Sequence, residues 1–128
     1  MKKIIIDTNF LLIPYKFKVD IFSEFNRLSH FNYELFIFKE TIRELKSIVE
    51  KQSGKDKKAA HFALKLIELK NIGLIESEQN DVDLLILTNA DNDTIIATLD
   101  NELKKELLKR GVSVIILRQK KYLQLIGI

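Results

Sequence analysis

Five carboxylates are spaced so that chemistry could gather on them: Asp7, Glu44, Asp81, Asp83 and Asp100. Asp7 ends the apolar run Ile4-Ile5-Ile6, and Asp100 ends Thr-Ile-Ile-Ala-Thr-Leu. Short β-branched runs of this kind read as buried parallel strands. Open α/β sheets place their ligand sites at the carboxyl ends of such strands. Glu44 falls in the first turn of the helix expected after the second strand, and Asp81 and Asp83 open a short helix after the third. A parallel sheet would bring these positions to one edge. Carboxylates crowded together raise one another's pKa and destabilise the fold that holds them. A hard cation removes that conflict, and all-oxygen ligation without His or Cys points to Mg2+ or Mn2+.

Each acid also has a plainer use. Thr41-Ile42-Arg43-Glu44 has the pattern of a capping box, and Asp81, Asp83 and Asp100 are good N-cap or first-turn residues. Taken singly, Glu44 and Asp83 read better as caps, while Asp100 suits either use. Asp7 is harder to assign to capping, because Thr8 or Asn9 could cap whatever follows it. The set in this order favours function over four coincidences.

The elements that must position these acids alternate. Strands are expected at Lys3–Asp7, Glu34–Phe38, Ile72–Glu76, Thr94–Leu99 and Val112–Leu117. Helical patterns fall at Val19–Ser29, Thr41–Glu50, Lys57–Lys70, Val82–Asn89 and Asn101–Lys109. Such alternation predicts a parallel sheet covered by helices on both sides, with right-handed crossovers. Gly73 and Gly111 suit helix-to-strand junctions, and Pro14, the only proline, falls in the loop after the first strand. The segment Gln52-Ser53-Gly54-Lys55-Asp56 reads as a break between two helices, so residues 1–128 are expected to form one domain.

Composition narrows the chemistry. The chain has 128 residues, 46% hydrophobic and 30% charged, as ordinary globular domains do. With no cysteine, disulfides, thiolate metal sites and cysteine nucleophiles are excluded. His30 and His61 are too few and too far apart for a histidine-rich zinc site. No apolar run approaches a membrane span, and no signal peptide precedes the first strand, so the cytoplasm is the expected location. The net charge of +3 conceals a segregation. From Asn71 to Leu103 there is no Lys or Arg but eight acids, among them Glu76, Glu78, Asp81 and Asp83. From Lys104 to Lys121 seven basic residues face Glu106 alone, and Lys55, Lys57 and Lys58 form a second basic cluster. Most charge runs are solvated faces. A basic rim around an acidic centre is also what a metal-dependent nuclease needs.

Taken together, Asp7-Thr8-Asn9, Glu44 within Ile42-Arg43-Glu44-Leu45, the pair Asp81-Val82-Asp83 and Thr98-Leu99-Asp100 resemble the PIN-domain nucleases over nearly the whole chain. The resemblance is nearest to small archaeal PIN proteins related to the eukaryotic small-subunit rRNA-processing endonuclease, and to VapC-type toxins. It implies a three-layer α/β/α domain with a central parallel sheet of about five strands. It further implies an endoribonuclease in which Asp7 and Asp100, with Asp81 or Asp83, hold one or two Mg2+ or Mn2+ ions. Glu44 would be a direct or water-mediated ligand, which makes Asp7, Glu44, Asp81 and Asp100 the catalytic set. Family members often carry an Asp-Asp pair where this chain has Asp81-Val82-Asp83. Residues i and i+2 do not share a helix face, so one of the two should be the ligand. Asp81 is preferred, since that choice leaves Leu84 and Leu85 to pack together.

A metal ion lowers the pKa of bound water to generate the nucleophile, with no covalent intermediate. Thr8, Asn9 and Thr98 are candidates to orient carboxylates or water, or simply to close strand ends. The substrate implied is single-stranded or structured RNA. Lys55, Lys57, Lys58, Arg118, Lys120 and Lys121 are candidates for its backbone, with Tyr122 for a base. Tyr122, Leu123, Leu125 and Ile126 also suit simple docking of the C-terminus. The resemblance implies either rRNA processing, with a ribosome-assembly partner, or toxin action with an antitoxin partner, and in either case a homodimer. The rival class is a non-catalytic RNA-binding or scaffold PIN domain. Tyr15, Phe17 and Phe22 suit either an interface or the core.

Overall fold

A computed structural model describes residues 1–76 and 81–127 of the chain; Glu78, part of the acidic run, lies outside them. β1 (Lys2–Ile6) is followed by a 3-10 turn, Thr8–Leu12, and by the helices α1 (Ile13–Phe17) and α2 (Ile21–Leu28). Next come β2 (Tyr33–Phe38), the helices α3 (Lys39–Lys51) and α4 (Gly54–Leu69), and β3 (Gly73–Ile75). α5 (Val82–Asn89), β4 (Thr94–Ala97), α6 (Asn101–Lys109), β5 (Ser113–Arg118) and β6 (Tyr122–Ile126) complete the order.

The six strands form one sheet in the order β3-β2-β1-β4-β5-β6. The first five run parallel, and β6 pairs antiparallel with β5. The chain therefore builds outward from β1 on one side and from β4 on the other. Connections reverse direction between these two central strands, and a crevice opens there at their carboxyl ends. Both end in candidate acids, Asp7 and the Thr98–Asp100 segment. The Asp7 N–H donates to the Ala97 carbonyl at 2.9 Å, so the two strand ends are held in register.

Alternation along the central strands sends side chains to two cores. Ile4, Ile6, Ile37, Ile95 and Ala97 pack with Phe10, Leu11 and Phe25 and with the Ala59, Ala60 and Ala63 stripe of α4. Ile5, Phe38, Ile96 and Val114 pack on the opposite face with Leu85 and Ile86 of α5 and Leu103 and Leu107 of α6. Helices thus cover both faces, giving the three-layer α/β/α architecture expected. Tyr15, Phe17 and Phe22 are partly buried against the first core.

Several boundaries differ from expectation for identifiable reasons. The loop assigned after β1 is helical, and Pro14 occupies the first turn of α1, where its missing N–H costs nothing. α3 begins at Lys39, directly after the strand residue Phe38, so Thr41 is inside the helix and no capping box forms. Glu44 consequently lies in the second turn of α3. Gly73 is within β3, where a Cβ would meet the Phe36 ring at 2.6 Å; Asn71, at φ 52°, takes the left-handed turn position instead. Gly111 does occupy a left-handed junction, with φ 79°.

The sheet has six strands, where about five parallel ones were expected. The missing signal was the turn. Gln119 and Lys120 both adopt positive φ, 52° and 54°, and the Lys121 N–H donates to the Arg118 carbonyl at 2.9 Å. Two successive residues at positive φ normally use Asn or Gly, and here they fall within the three residues, Gln119 to Lys121, that separate the paired Arg118 and Tyr122, so the sequence lacks the usual hairpin residues. Leu123 docks as expected, fully buried, but does so as part of a strand. The outer edge of β6 is partly closed by α2: the Leu123 N–H donates to Glu24 Oε1, and Arg27 donates to the Leu123 carbonyl. Such covering protects an edge strand from pairing with other chains. Among the described residues no helix is long and apolar enough to cross a membrane.

Candidate functional site

Asp7 is the anchor of the crevice. It is only 6% exposed, and both its oxygens are held. Oδ1 accepts from the Thr8 N–H and Oδ2 from the Thr98 hydroxyl, each at 2.8 Å. Burial nevertheless raises the Asp7 pKa, with the Glu44 and Asp100 charges adding to the effect against the two hydrogen bonds. Thr98, 1% exposed, couples two acids, because its Oγ1 also accepts from the Asp100 N–H at 3.0 Å. Asp100 in turn caps α6, its Oδ1 accepting from the Glu102 and Leu103 N–H groups.

On the other side Thr8 performs the same office. Its hydroxyl donates to Glu44 Oε1 at 2.6 Å. The Thr41 hydroxyl lies 3.1 Å from that of Thr8. With Thr8's single proton committed to Glu44, Thr41 must be the donor of the pair. Glu44 is pushed to a higher pKa chiefly by desolvation, then by the charges of Asp83, Asp81 and Glu40. Thr41 escaped the sequence reading because it looked like a cap. Its role comes from the buried hydroxyl that α3 presents toward the 3-10 turn after β1.

Asp81 and Asp83 behave differently. Asp81 is the N-cap of α5, with Oδ1 accepting from the Leu84 N–H at 3.3 Å. Asp83, one step into the helix, lines the same cavity as Asp7 and Asp100. Partial desolvation and then the charges of Asp7, Asp100 and Asp81 push its pKa up to about 6. The packing that favoured Asp81 does not form: Leu85 is buried, but Leu84 is 46% exposed.

Asp7, Thr8, Asn9, Glu44, Asp81, Asp83 and Asp100 thus line one cavity of about 390 Å³, together with Ser47, Ile48 and Val82. Ser47, one turn beyond Glu44 on α3, was not foreseen. Among the described residues, no lysine or arginine is paired with any of the five acids. Nor do three of them already surround one point at ligating distance. The donor set nevertheless fits a hard divalent cation. It is all oxygen, it carries excess negative charge, and caps and threonines leave one oxygen of Glu44, Asp81 and Asp100 uncommitted.

The basic residues lie elsewhere. Lys55 and Lys58, at the start of α4, line a shallow hollow of about 300 Å³ with Tyr15, Lys16 and Lys18, and Lys57 is exposed beside them. Arg118 and Lys121 are exposed near the β5–β6 turn, where Arg118 donates to Gln124 Oε1. Lys120 sits over the Phe17 ring, 5.6 Å from its centroid. None of these six lines the carboxylate cavity. His61 is exposed, as a surface residue should be.

Replacing Thr98 with Val keeps the shape and removes one donor and one acceptor from the carboxylate network. The variant is expected to lose roughly 1.5–3 kcal/mol of stability at pH 7, since a hydrogen bond to a buried charge is lost. Urea unfolding of the two proteins measures this.

Comparison with known proteins places this geometry in a family. Residues 4–120 match the family described as PIN like domain. The chain is 33% identical over 129 residues to Ribonuclease VapC4 of Methanocaldococcus jannaschii, covering 99% of this chain and 98% of that protein. It is 33% identical over 118 residues to Ribonuclease VapC9 of Archaeoglobus fulgidus, covering 91% and 84%. In fold it is similar to the PIN domain endonuclease Utp24, with a TM-score of 0.77 at 16% identity and coverage of 98% and 92%. A domain of a functionally unknown protein from Methanocaldococcus jannaschii matches with a TM-score of 0.62 at 15% identity, covering 92% of each chain.

Proposed function

Because the chain belongs to the PIN-like domain family, we propose that it is an endoribonuclease that hydrolyses RNA phosphodiester bonds at the carboxylate cavity with a divalent metal ion. The observation that carries this reading is five carboxylates around one crevice, at the switch point of the sheet, with no cationic partner among the described residues. A purely structural site would not collect unpaired charge where it raises pKa values and costs stability.

Asp7, Asp100 and Asp83 would hold one or two Mg2+ or Mn2+ ions, with Glu44 as a direct or water-mediated ligand. Such an ion would activate water for attack near neutral pH and would offset charge on the leaving oxygen. Thr98 fixes Asp7 relative to Asp100, and Thr8 fixes Glu44 relative to Asp7, so two hydroxyls set the spacing of three acids. Asp83 replaces the preferred Asp81 here. Asp81 already spends an oxygen on the α5 N-terminus, whereas Asp83, in the same cavity, has its pKa raised by burial and by the Asp7 and Asp100 charges.

A VapC-type ribonuclease role is favoured over rRNA processing. The VapC relatives match along most of their length at 33% identity, whereas the likeness to Utp24, at 16%, speaks to the fold. An antitoxin protein and a second copy of the chain are then the proposed partners, in the cytoplasm.

The test is cleavage of an end-labelled single-stranded RNA in Mn2+, Mg2+ or EDTA by wild type, Asp81→Ala and Asp83→Asn. Cleavage is expected in either metal and none in EDTA. Asp83→Asn should lose about a hundredfold or more in rate, in line with a direct contribution to transition-state charge. Asp81→Ala should keep most of the rate and lose about 1 kcal/mol of stability with the cap. The reverse ranking would return the third ligand to Asp81. Cleavage absent under all conditions would favour the binding-module reading.

A further inference from the structure

A second cavity, of about 360 Å³, adjoins the carboxylate crevice and shares Asn9 and Asp100 with it. Its walls are different. Leu12, Ile13, Phe17 and Leu99 supply apolar surface, and Leu99 is left 39% exposed at the mouth. Beyond it, Lys16 is shared with the shallow basic hollow formed with Tyr15, Lys18, Lys55 and Lys58. Acidic centre, apolar cavity and basic hollow therefore form one continuous track, joined by Asn9 and Asp100 at one step and by Lys16 at the next. Lys16 is ion-paired with Asp56 at 2.6 Å, which fixes the lysine at that junction.

A strained element bears on the same cavity. Gln119 and Lys120 both hold positive φ without being glycine or asparagine, a conformation costing roughly 1–2 kcal/mol per residue. The turn they form places the Lys120 ammonium over the Phe17 ring. The β5–β6 turn itself requires those φ values.

We propose that the apolar cavity is a nucleobase pocket: it takes one unpaired base of an RNA strand next to the phosphate bound at the carboxylate crevice. Phe17 offers its partly buried ring, which also carries the Lys120 ammonium, Leu12 and Leu99 line the pocket beside it, and the exposed amide of Asn9 lies where the sugar or base edge enters. The next phosphates run toward Lys16 and the lysine hollow. This occupant suits both ends of the track, since a nucleotide chain carries a flat, largely apolar base between phosphates that a metal ion at one end and lysines at the other can hold. A base already paired in a duplex could not enter, so the pocket selects single-stranded or looped segments. This inference rests on the endoribonuclease reading for its substrate, but its test can be separated from it.

The experiment measures binding, by fluorescence anisotropy in Mn2+, of the wild-type chain to a short labelled RNA with hydrolysis-resistant phosphorothioate linkages, in which one abasic nucleotide is moved along the strand. Cleavage of the same oligomers with ordinary phosphate linkages by wild type in Mn2+ is measured in parallel. One abasic position is expected to weaken binding about 5- to 150-fold, the range of roughly 1–3 kcal/mol for a stacked base. The same position, adjoining the cleaved bond, should cut the cleavage rate. Adding Phe17→Ala or the mouth variant Leu99→Ser should flatten this position dependence, while Phe17→Tyr should retain it. Lys16→Ala should instead weaken all the oligomers equally. Thermal unfolding checks that each variant is folded, and the exposed Leu99 provides the variant least able to disturb the core. A flat profile, or a dependence that survives both Phe17→Ala and Leu99→Ser, overturns the pocket. Position-dependent binding without metal-dependent cleavage would leave the pocket standing and overturn the nuclease reading; cleavage with a flat binding profile would do the opposite.

Discussion

Asp7→Asn is expected to abolish RNA cleavage, by about a thousandfold or more, while the protein stays folded. Loss of an anionic ligand removes several kcal/mol of transition-state charge stabilisation, and each 1.36 kcal/mol is a factor of ten in rate. The same substitution is expected to stabilise the metal-free protein at neutral pH. Asp7 is buried with its pKa raised by desolvation and by the Glu44 and Asp100 charges, so the ionised form strains the fold. Asparagine keeps an oxygen for the Thr8 N–H and can donate its amide to Thr98. A rate assay in Mn2+ and a melting curve in EDTA read the two effects on one preparation. Opposite signs for activity and stability distinguish a functional carboxylate from a structural one, for which both would fall.

The second large effect is a pH-dependent response to metal. Asp7, Glu44 and Asp83 all have folded-state pKa values raised above their ordinary ones, Asp83 to about 6. Between the ordinary values near 4 and the raised ones, the folded chain binds more protons than the unfolded chain. Stability therefore falls as pH rises through that window. Below it, Asp20, Glu24 and Asp91, whose pKa values are lowered by hydrogen bonds from Ser23, Arg27 and Thr94 respectively, lose their contribution as they take up protons. In EDTA the melting temperature should thus pass through a maximum on the acid side and decline toward pH 7. Mn2+ should reverse the decline, because a cation binds the deprotonated site. At a free ion concentration a hundred times Kd the gain is about 2.7 kcal/mol. A smaller gain is expected at pH 5, where Asp83, with its pKa near 6, holds its proton. Asp83→Asn should flatten both the decline and the metal response; melting curves across pH, with and without Mn2+, measure them.

Much of this was legible in the sequence because the signals were local and redundant. The run Ile4-Ile5-Ile6 and the stretch Thr94–Ala97 are buried on both faces, so an unbroken apolar run marked each as a central strand. Their ends then located Asp7 and Asp100 without a structure. What was not legible depended on partners distant in sequence. Thr41 carried the pattern of a cap, yet its hydroxyl meets Thr8, which only the packing of α3 against the 3-10 turn after β1 brings within reach. Asp81 and Asp83 are two residues apart, and which one faces Asp7 depends on where α5 begins and how it sits on the sheet. The sixth strand was hidden because Gln119-Lys120 lacks the residues that normally announce a tight hairpin. The apolar cavity beside Asp100 was invisible for the same reason as Thr41: Phe17 and Leu99 are far apart in the chain and meet only in the fold.

The most direct test of the central claim is a Mn2+ titration of wild-type protein at pH 7 in which ion binding, by calorimetry, and single-stranded RNA cleavage are followed together. The two curves are expected to share a midpoint, and both should vanish in Asp7→Asn. Undiminished cleavage in EDTA, or wild-type cleavage by Asp7→Asn, would contradict a metal-dependent nuclease centred on these carboxylates.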